Sequence, residues 1–250
     1  MMEISKLLDP TKFGIWARTR ATASFNLSES FDFSDRAPFD SIPSMADWRS
    51  PEYLTTLRKL IVEQHELDFF NSYEWTHKLL NNPSYTAVTT SSRTPKSSPE
   101  DDFFAKTLRS SSTISNWLLL IRSAFFTSDG PLPSTDQPDA LVLLNLGRGV
   151  NGFTNTAHGG LLCAVLDEAL SMCVEVCRHN QTTSRNNLYT ARLEFDFRRP
   201  VLTPGIVLLK CWLQSVEGRK WRVRGQILDS SGGVCVEAAG LWVEARDPML

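Results

Sequence analysis

The chain has 250 residues, 42% of them hydrophobic and 22% charged, with a formal net charge of −2. This composition suits an ordinary folded protein and excludes a disordered chain, a collagen-like repeat or a strongly basic nucleic-acid binder. No apolar run reaches the roughly 20 residues of a membrane span and no secretory leader is visible, so a cytoplasmic protein is expected.

In chain order, residues 1–50 are rich in Ser, Asp and Phe and are broken by Pro38 and Pro43, which predicts irregular structure. Thr11 to Ser28 carries Lys12, Arg18 and Arg20 without an acid, which makes a mitochondrial presequence the alternative localisation. Leu54, Leu57, Leu60, Ile61 and Leu67 recur at helical spacing and predict one or two helices over Tyr53–Asn81. Thr86–Glu100 reads as a Ser/Thr/Pro loop, and Asp102–Phe126 as a further helix. The Pro-rich stretch Gly130–Pro138 is the expected boundary between an N-terminal, partly helical extension (1–130) and a second domain (139–245).

Beyond that break, Ala140–Leu146 reads as a strand and Leu161–Cys177 as a helix apolar on nearly every side, which belongs inside a protein. Strands follow at Tyr189–Phe197, Ile206–Gln214, Arg219–Leu228 and Val234–Val243, separated by Pro204-Gly205, Glu217-Gly218 and Ser231-Gly232-Gly233. Simple alternation in the first of them puts Tyr189, Ala191, Leu193, Phe195 and Phe197 on one face and Thr190 on the polar face. A strand, an apolar helix and an antiparallel meander make an α+β pattern, with the sheet wrapped around the helix. The open edges of such a sheet favour pairing with a second copy.

The chemistry concentrates at His158-Gly159-Gly160, where two glycines open the apolar helix and Asp167 follows two turns later. Helix-start N–H groups lack intrahelical partners and sit at the positive end of the dipole, so they can hold an oxyanion. A carboxylate inside the same helix is costly unless it is used or paired. Glu168, one residue on, points about 100° away and is expected to be structural or solvent-facing. Oxyanion donor plus buried carboxylate is equipment for acyl-group hydrolysis. Gly147-Arg-Gly149-Val-Asn-Gly152 has dinucleotide-loop spacing, but the helix starts too late for that function. The five cysteines lack paired spacing and read as reduced, buried thiols, with Cys163 beside His158 the one conceivable nucleophile. Neither a P-loop nor a metal-spaced His cluster is present, and neither a metal nor a cofactor is expected.

The runs 157–170 (Ala-His-Gly-Gly…Leu-Asp-Glu-Ala-Leu), 190–200 (Thr-Ala-Arg-Leu-Glu-Phe-Asp-Phe-Arg-Arg-Pro) and 216–220 (Val-Glu-Gly-Arg-Lys) resemble the hotdog-fold acyl-CoA thioesterases. The nearest subgroup is PaaI-like, with the mammalian thioesterase-superfamily proteins and their fungal relatives. The resemblance covers about residues 139–245 and, more faintly, 75–125. It implies a homodimer or dimer of dimers with active sites across the subunit interface. Gly160 N–H would polarise the thioester carbonyl, Asp167 of the facing subunit would act as general base or nucleophile, and Thr190 would hold that carboxylate or its water. His158 would orient the loop. Gly159 and Asn151 are placed for substrate contact, although no Asn stands at the spacing some members use.

Arg198, Arg199, Arg222 and Arg224 are candidates for the phosphates of coenzyme A, because guanidinium pairs with phosphate through two parallel hydrogen bonds. The expected substrate is an acyl-CoA or an acyl chain on a carrier protein. The alternatives are a fungal enzyme releasing, cyclising or transferring a polyketide thioester, and a non-catalytic acyl-CoA-binding or regulatory hotdog protein.

Overall fold

The structure, a computed structural model, describes residues 53–60, 62–127, 136–178 and 186–246. Three short helices come first: α1 (Tyr53–Lys59), α2 (Gln64–Asn71) and α3 (Glu74–Leu80). Strands β1 (Tyr85–Val88), β2 (Ile114–Arg122) and β3 (Ala140–Leu146) follow, then a small hairpin of β4 (Asn151–Phe153) and β5 (Thr156–Ala157). Helix α4 (Gly159–Cys177) leads to β6 (Leu188–Phe197), β7 (Gly205–Glu217), β8 (Lys220–Leu228) and β9 (Val234–Glu244). Apart from the small hairpin, the strands form one antiparallel sheet in the order β1-β2-β3-β7-β8-β9-β6.

The sheet is buried on both faces near β3, which explains the unbroken apolar run there. Val142 and Leu144 share a core with Val165, Leu166, Ala169 and Leu170 of α4. Their neighbours Leu141 and Leu143 join Leu118, Leu120 and Leu208 on the other face, under Phe70 of α2 and with Trp75 and Leu79 of α3 alongside. Gly225 on β8 lets α4 lie close, because a Cβ there would meet the Leu170 and Leu166 side chains at 3.0 and 3.2 Å. Leu170 has no exposed surface. Truncating such a residue to Ala typically costs about 2–5 kcal/mol. An antiparallel sheet around a long apolar helix is the hotdog fold.

The structure corrects two expected elements: Thr86–Val88, read as loop, belongs to strand β1, and Asp102–Phe126 does not form one helix. Residues 103–107 form a single π-helical turn, but Ile114–Arg122 is strand β2 rather than helix. Trp117-Leu-Leu-Leu-Ile is apolar at every position because β2 is covered on both faces, and a continuous apolar run has no period to separate strand from helix. Expected helices over Tyr53–Asn81 are present as α1 to α3. Strands β1 and β2, which fall in the segment read as the extension, pair alongside β3 in the main sheet. The expectations for residues 1–50 and for most of the Gly130–Pro138 break lie outside the described residues. Among the described residues no helix is long and apolar enough to cross a membrane.

One buried cation organises the extension. Arg93 donates to the carbonyls of Phe104, Leu108 and Ile114 at 2.8, 3.1 and 2.8 Å, and its guanidinium lies 5.7 Å from the Trp117 ring centroid. Burial brings its pKa down to about 10, which leaves it charged at neutral pH. The loop from 91 to 108 is thereby fastened to the start of β2.

Candidate active site

Helix α4 begins at Gly159 because His158 caps it: the His158 Nδ1 accepts the Gly160 N–H at 2.9 Å. A ring nitrogen that accepts must be the unprotonated one, so neutral His158 carries its proton on Nε2. The His158 carbonyl takes the N–H groups of Leu161 and Leu162 at 3.0 and 3.2 Å. A Cβ on Gly160 would stand 3.1 Å from the imidazole ring, so the capping ring would have to shift by a few tenths of an ångström to admit one. This helix end is exposed, so its polarity is available to a ligand.

It opens onto a concavity of about 500 Å³ lined by Phe153, His158, Gly159, Leu162, Phe197, Arg198 and Arg199, among others. The hollow is largely apolar, with the two arginines at its margin. Arg198 is held by Glu237 and Asp196 at 2.9 and 3.1 Å, and Arg199 by the Val234 carbonyl and Asp229 at 3.1 and 3.4 Å. About half of each arginine side chain remains exposed, which leaves guanidinium edges for an anion.

Two turns into α4, Asp167 is half-buried and its Oδ1 accepts the Thr190 hydroxyl at 2.9 Å. Burial raises the Asp167 pKa above the ordinary carboxylate value, and the Thr190 hydrogen bond partly opposes this. The result is a stronger proton acceptor than a free carboxylate.

Thr190 reaches Asp167 through a β-bulge that simple alternation misses. Thr190 pairs with Trp242 and Arg192 with the next residue back, Leu241, which leaves Ala191 as the extra residue. The bulge turns Thr190 and Leu188 to the same side of β6 as Leu193 and Phe195, the side that packs on α4. Thr190 is therefore not on the outward polar face.

The remaining candidates are dispersed. Asn151 accepts the Thr203 hydroxyl and serves to tie β4 to the turn before β7. Arg222 and Arg224 project from the sheet face opposite α4, because their neighbours Trp221, Val223 and Ile227 belong to the α4 core. Arg224 stacks 4.0 Å from the Trp212 ring centroid, and Arg222 faces Glu217 at 3.7 Å. Within one chain, neither approaches the hollow at the α4 N-terminus.

Glu168, expected to be either structural or solvent-facing, lies away from open solvent. It lies under the extension, lining a cavity with Ser92, Lys96 and Asp101, and burial pushes its pKa up to about 7. The contribution of residues 91–101 to this helix flank could not be read from a Ser/Thr/Pro loop. Burial also raises the Cys163 thiol, the reverse of an activated nucleophile. Among the described residues, Asp139, Cys173 and Cys177 have possible ligand atoms within 4.8 Å of one another. The Asp139 oxygens are already engaged by Arg122 at 2.6 Å and by the Leu213 N–H at 2.8 Å.

Residues 154–236, from the hairpin through α4 to β9, match the family model of the thioesterase superfamily. The chain is similar to the verlamelin biosynthesis protein B of a Lecanicillium species, 24% identical over 163 residues, covering 56% of this chain and 71% of that protein. It aligns with a thioesterase superfamily protein of known crystal structure at 25% identity and a TM-score of 0.38, over 52% of this chain. That alignment spans about half of the other protein's length, 54%. It also aligns with the E. coli PaaI protein of the phenylacetic acid degradation operon, at 14% identity and a TM-score of 0.37, over 42% of this chain and 72% of that one. Over residues 154–236, which hold the α4 N-terminus and Asp167, the chain is similar to the thioesterase superfamily.

Proposed function

We propose that the protein hydrolyses an acyl thioester, with Asp167 as general base or nucleophile and the α4 N-terminus as the oxyanion site. The observation that carries this reading is the Asp167–Thr190 pair on the same helix whose exposed, glycine-built N-terminus opens onto an apolar hollow. A thioester carbonyl is electrophilic enough for one carboxylate and one good donor to suffice.

Seven residues separate Gly160 from Asp167, a rise of roughly 10 Å along the helix. A carbonyl held at Gly160 is therefore out of reach of a water held by Asp167 of the same chain. The reaction needs two copies, each lending its helix N-terminus to the other's carboxylate. Exposed apolar residues favour this pairing: Phe153 is 81% exposed, Phe197 54% and Tyr189 52%, around the helix start and along the edge strand β6.

In this reading the thioester carbonyl takes its hydrogen bonds from the first-turn amides of α4 and from His158 Nε2–H. Gly160 is partly committed to His158 Nδ1, so the amide of Gly159, which precedes any intrahelical acceptor, shares the role. Asp167, oriented by Thr190, removes a proton from water as it adds to the carbonyl. The tetrahedral intermediate then expels the thiolate. Arg198 and Arg199 are placed to meet anionic groups of a coenzyme A or carrier-protein arm. The similarity to a biosynthesis protein favours a second reading in which the acyl group is released from a carrier protein in a biosynthetic sequence.

The test is thiol release by the purified protein from acyl-CoAs of graded chain length and from acyl groups on a carrier protein. Turnover that depends on Asp167 supports the reading. Binding of acyl-CoA without turnover of any thioester would replace it with the non-catalytic alternative.

A further inference from the structure

The flank of α4 that carries Glu168 is neither bare surface nor packed core. Residues of the extension enclose there a cavity of about 230 Å³. It adjoins the Asp167–Thr190 pair, since Glu168 follows Asp167 and Leu188, two residues before Thr190, is part of its wall.

The lining is polar and rich in hydrogen-bond acceptors. Glu100, Asp101, Glu168 and Glu175 contribute carboxylates against the single ammonium of Lys96. That ammonium is already held by Asp101 at 2.6 Å and Glu100 at 3.4 Å, and Glu175 is paired with Arg178 at 3.2 Å. Ser92 is only 2% exposed, and its hydroxyl makes no hydrogen bond of sound geometry although it lies near Glu168. A hydroxyl whose one polar neighbour is a carboxylate directs its hydrogen there and keeps its oxygen lone pairs free to accept from a ligand that offers a donor. A hydrocarbon tail would instead bury these carboxylates against methylenes and leave Ser92 as it is.

We infer that this cavity receives the distal part of the acyl group, and that it selects chains bearing a hydrogen-bond donor there, a hydroxyl or a protonated amine, over plain hydrocarbon chains. The substrate role rests on the thioesterase reading above. Ser92 accepts the donor's hydrogen, and Glu168 with Asp101 supplies the negative field that would favour an amine. Selectivity then comes from the extension, because Ser92, Lys96 and Asp101 all belong to it. Sites built to hydrogen-bond a substrate group reject analogues lacking it far more strongly than apolar pockets reject an extra methylene.

The experiment compares kcat/KM for matched acyl-CoAs with plain, hydroxylated and amino-bearing chains, in the wild type, Ser92→Ala and Glu168→Gln. At least one donor-bearing chain is expected to exceed the plain chain by about tenfold or more. Ser92→Ala should shrink that ratio by a similar factor. A preference for the amine that falls in Glu168→Gln identifies an ammonium as the natural donor, and a hydroxyl preference indifferent to Glu168→Gln identifies an alcohol. Equal or better turnover of plain chains, or a preference unmoved by Ser92→Ala, overturns the inference. If no thioester is hydrolysed, the thioesterase reading falls by itself. Calorimetric binding of hydroxy- and aminoalkanoic acids against plain alkanoic acids then decides the cavity, and equal affinity for all three overturns it.

Discussion

Asp167 and Glu168 are consecutive carboxylates on one helix, yet they occupy opposite situations. Asp167 is oriented by the hydroxyl of Thr190 on an edge strand, beside a surface that remains open. Glu168, about 100° around the helix, is enclosed by the extension, and its pKa is pushed up to about 7 by burial. The same side-chain chemistry is thus divided by local geometry into an oriented carboxylate and a lining group. What separates them is the partner each meets, a bulged strand in one case and a folded-back loop in the other.

The largest expected effect breaks the first of the pair. Asp167→Asn keeps the shape but can neither accept a proton nor attack, so turnover of the best thioester should fall by about 10²–10⁴-fold, or ~3–5 kcal/mol of barrier. Thermal melting should show the fold retained, because a partly desolvated charge is removed. Loss of activity with loss of folding would leave Asp167 a structural residue.

Thr190→Val sharpens the same side of the comparison. The hydroxyl favours ionised Asp167, and the base works only when ionised, so the rate rises with pH through its pKa. Removing the hydroxyl should move the acidic limb of the pH–kcat profile to higher pH and lower the plateau by roughly tenfold. An unmoved limb would detach Thr190 from the mechanism.

Glu168→Gln, the smallest effect on chemistry, should cost plain acyl-CoA turnover less than about tenfold. Its signature lies in stability. A carboxyl whose folded pKa, about 7, lies above its ordinary 4.5 contributes stability that is complete below 4.5 and is lost as pH rises through about 7. Melting temperatures of the wild type should therefore decline across that window relative to Glu168→Gln, with the gap largest on the alkaline side. Parallel curves would return Glu168 to the solvent-facing one of the two roles expected from sequence.

Much of this was legible in the residues. The apolar helix, the meander and the His-Gly-Gly opening have clear periodicity or punctuation, and they placed α4 and β6 to β9 to within three residues at each end. Two kinds of information were hidden. Strand β2 has no periodicity because both its faces are covered. The orientation of Thr190 depends on a one-residue bulge that no pattern in Tyr189–Phe197 announces, and a two-residue alternation inverts it. Arg222 and Arg224 were legible as one face of β8, but which face turns from α4 is set by the packing of Trp221 and Val223. Nor could a cap be foreseen for the amide of Gly160, since His is not among the common capping residues.

The central claim is that one copy's helix N-terminus serves the other copy's Asp167, and subunit mixing tests it most directly. Gly160→Pro removes one donor and the His158 cap in a helical turn that tolerates proline, and Asp167→Asn removes the base, so each variant alone should lose most of its activity. Co-refolded in equal amounts, half of the dimers are mixed, and each mixed dimer holds one intact site of two. About a quarter of wild-type activity should therefore return. Verified mixed dimers that stay as inactive as the parents would contradict the shared site.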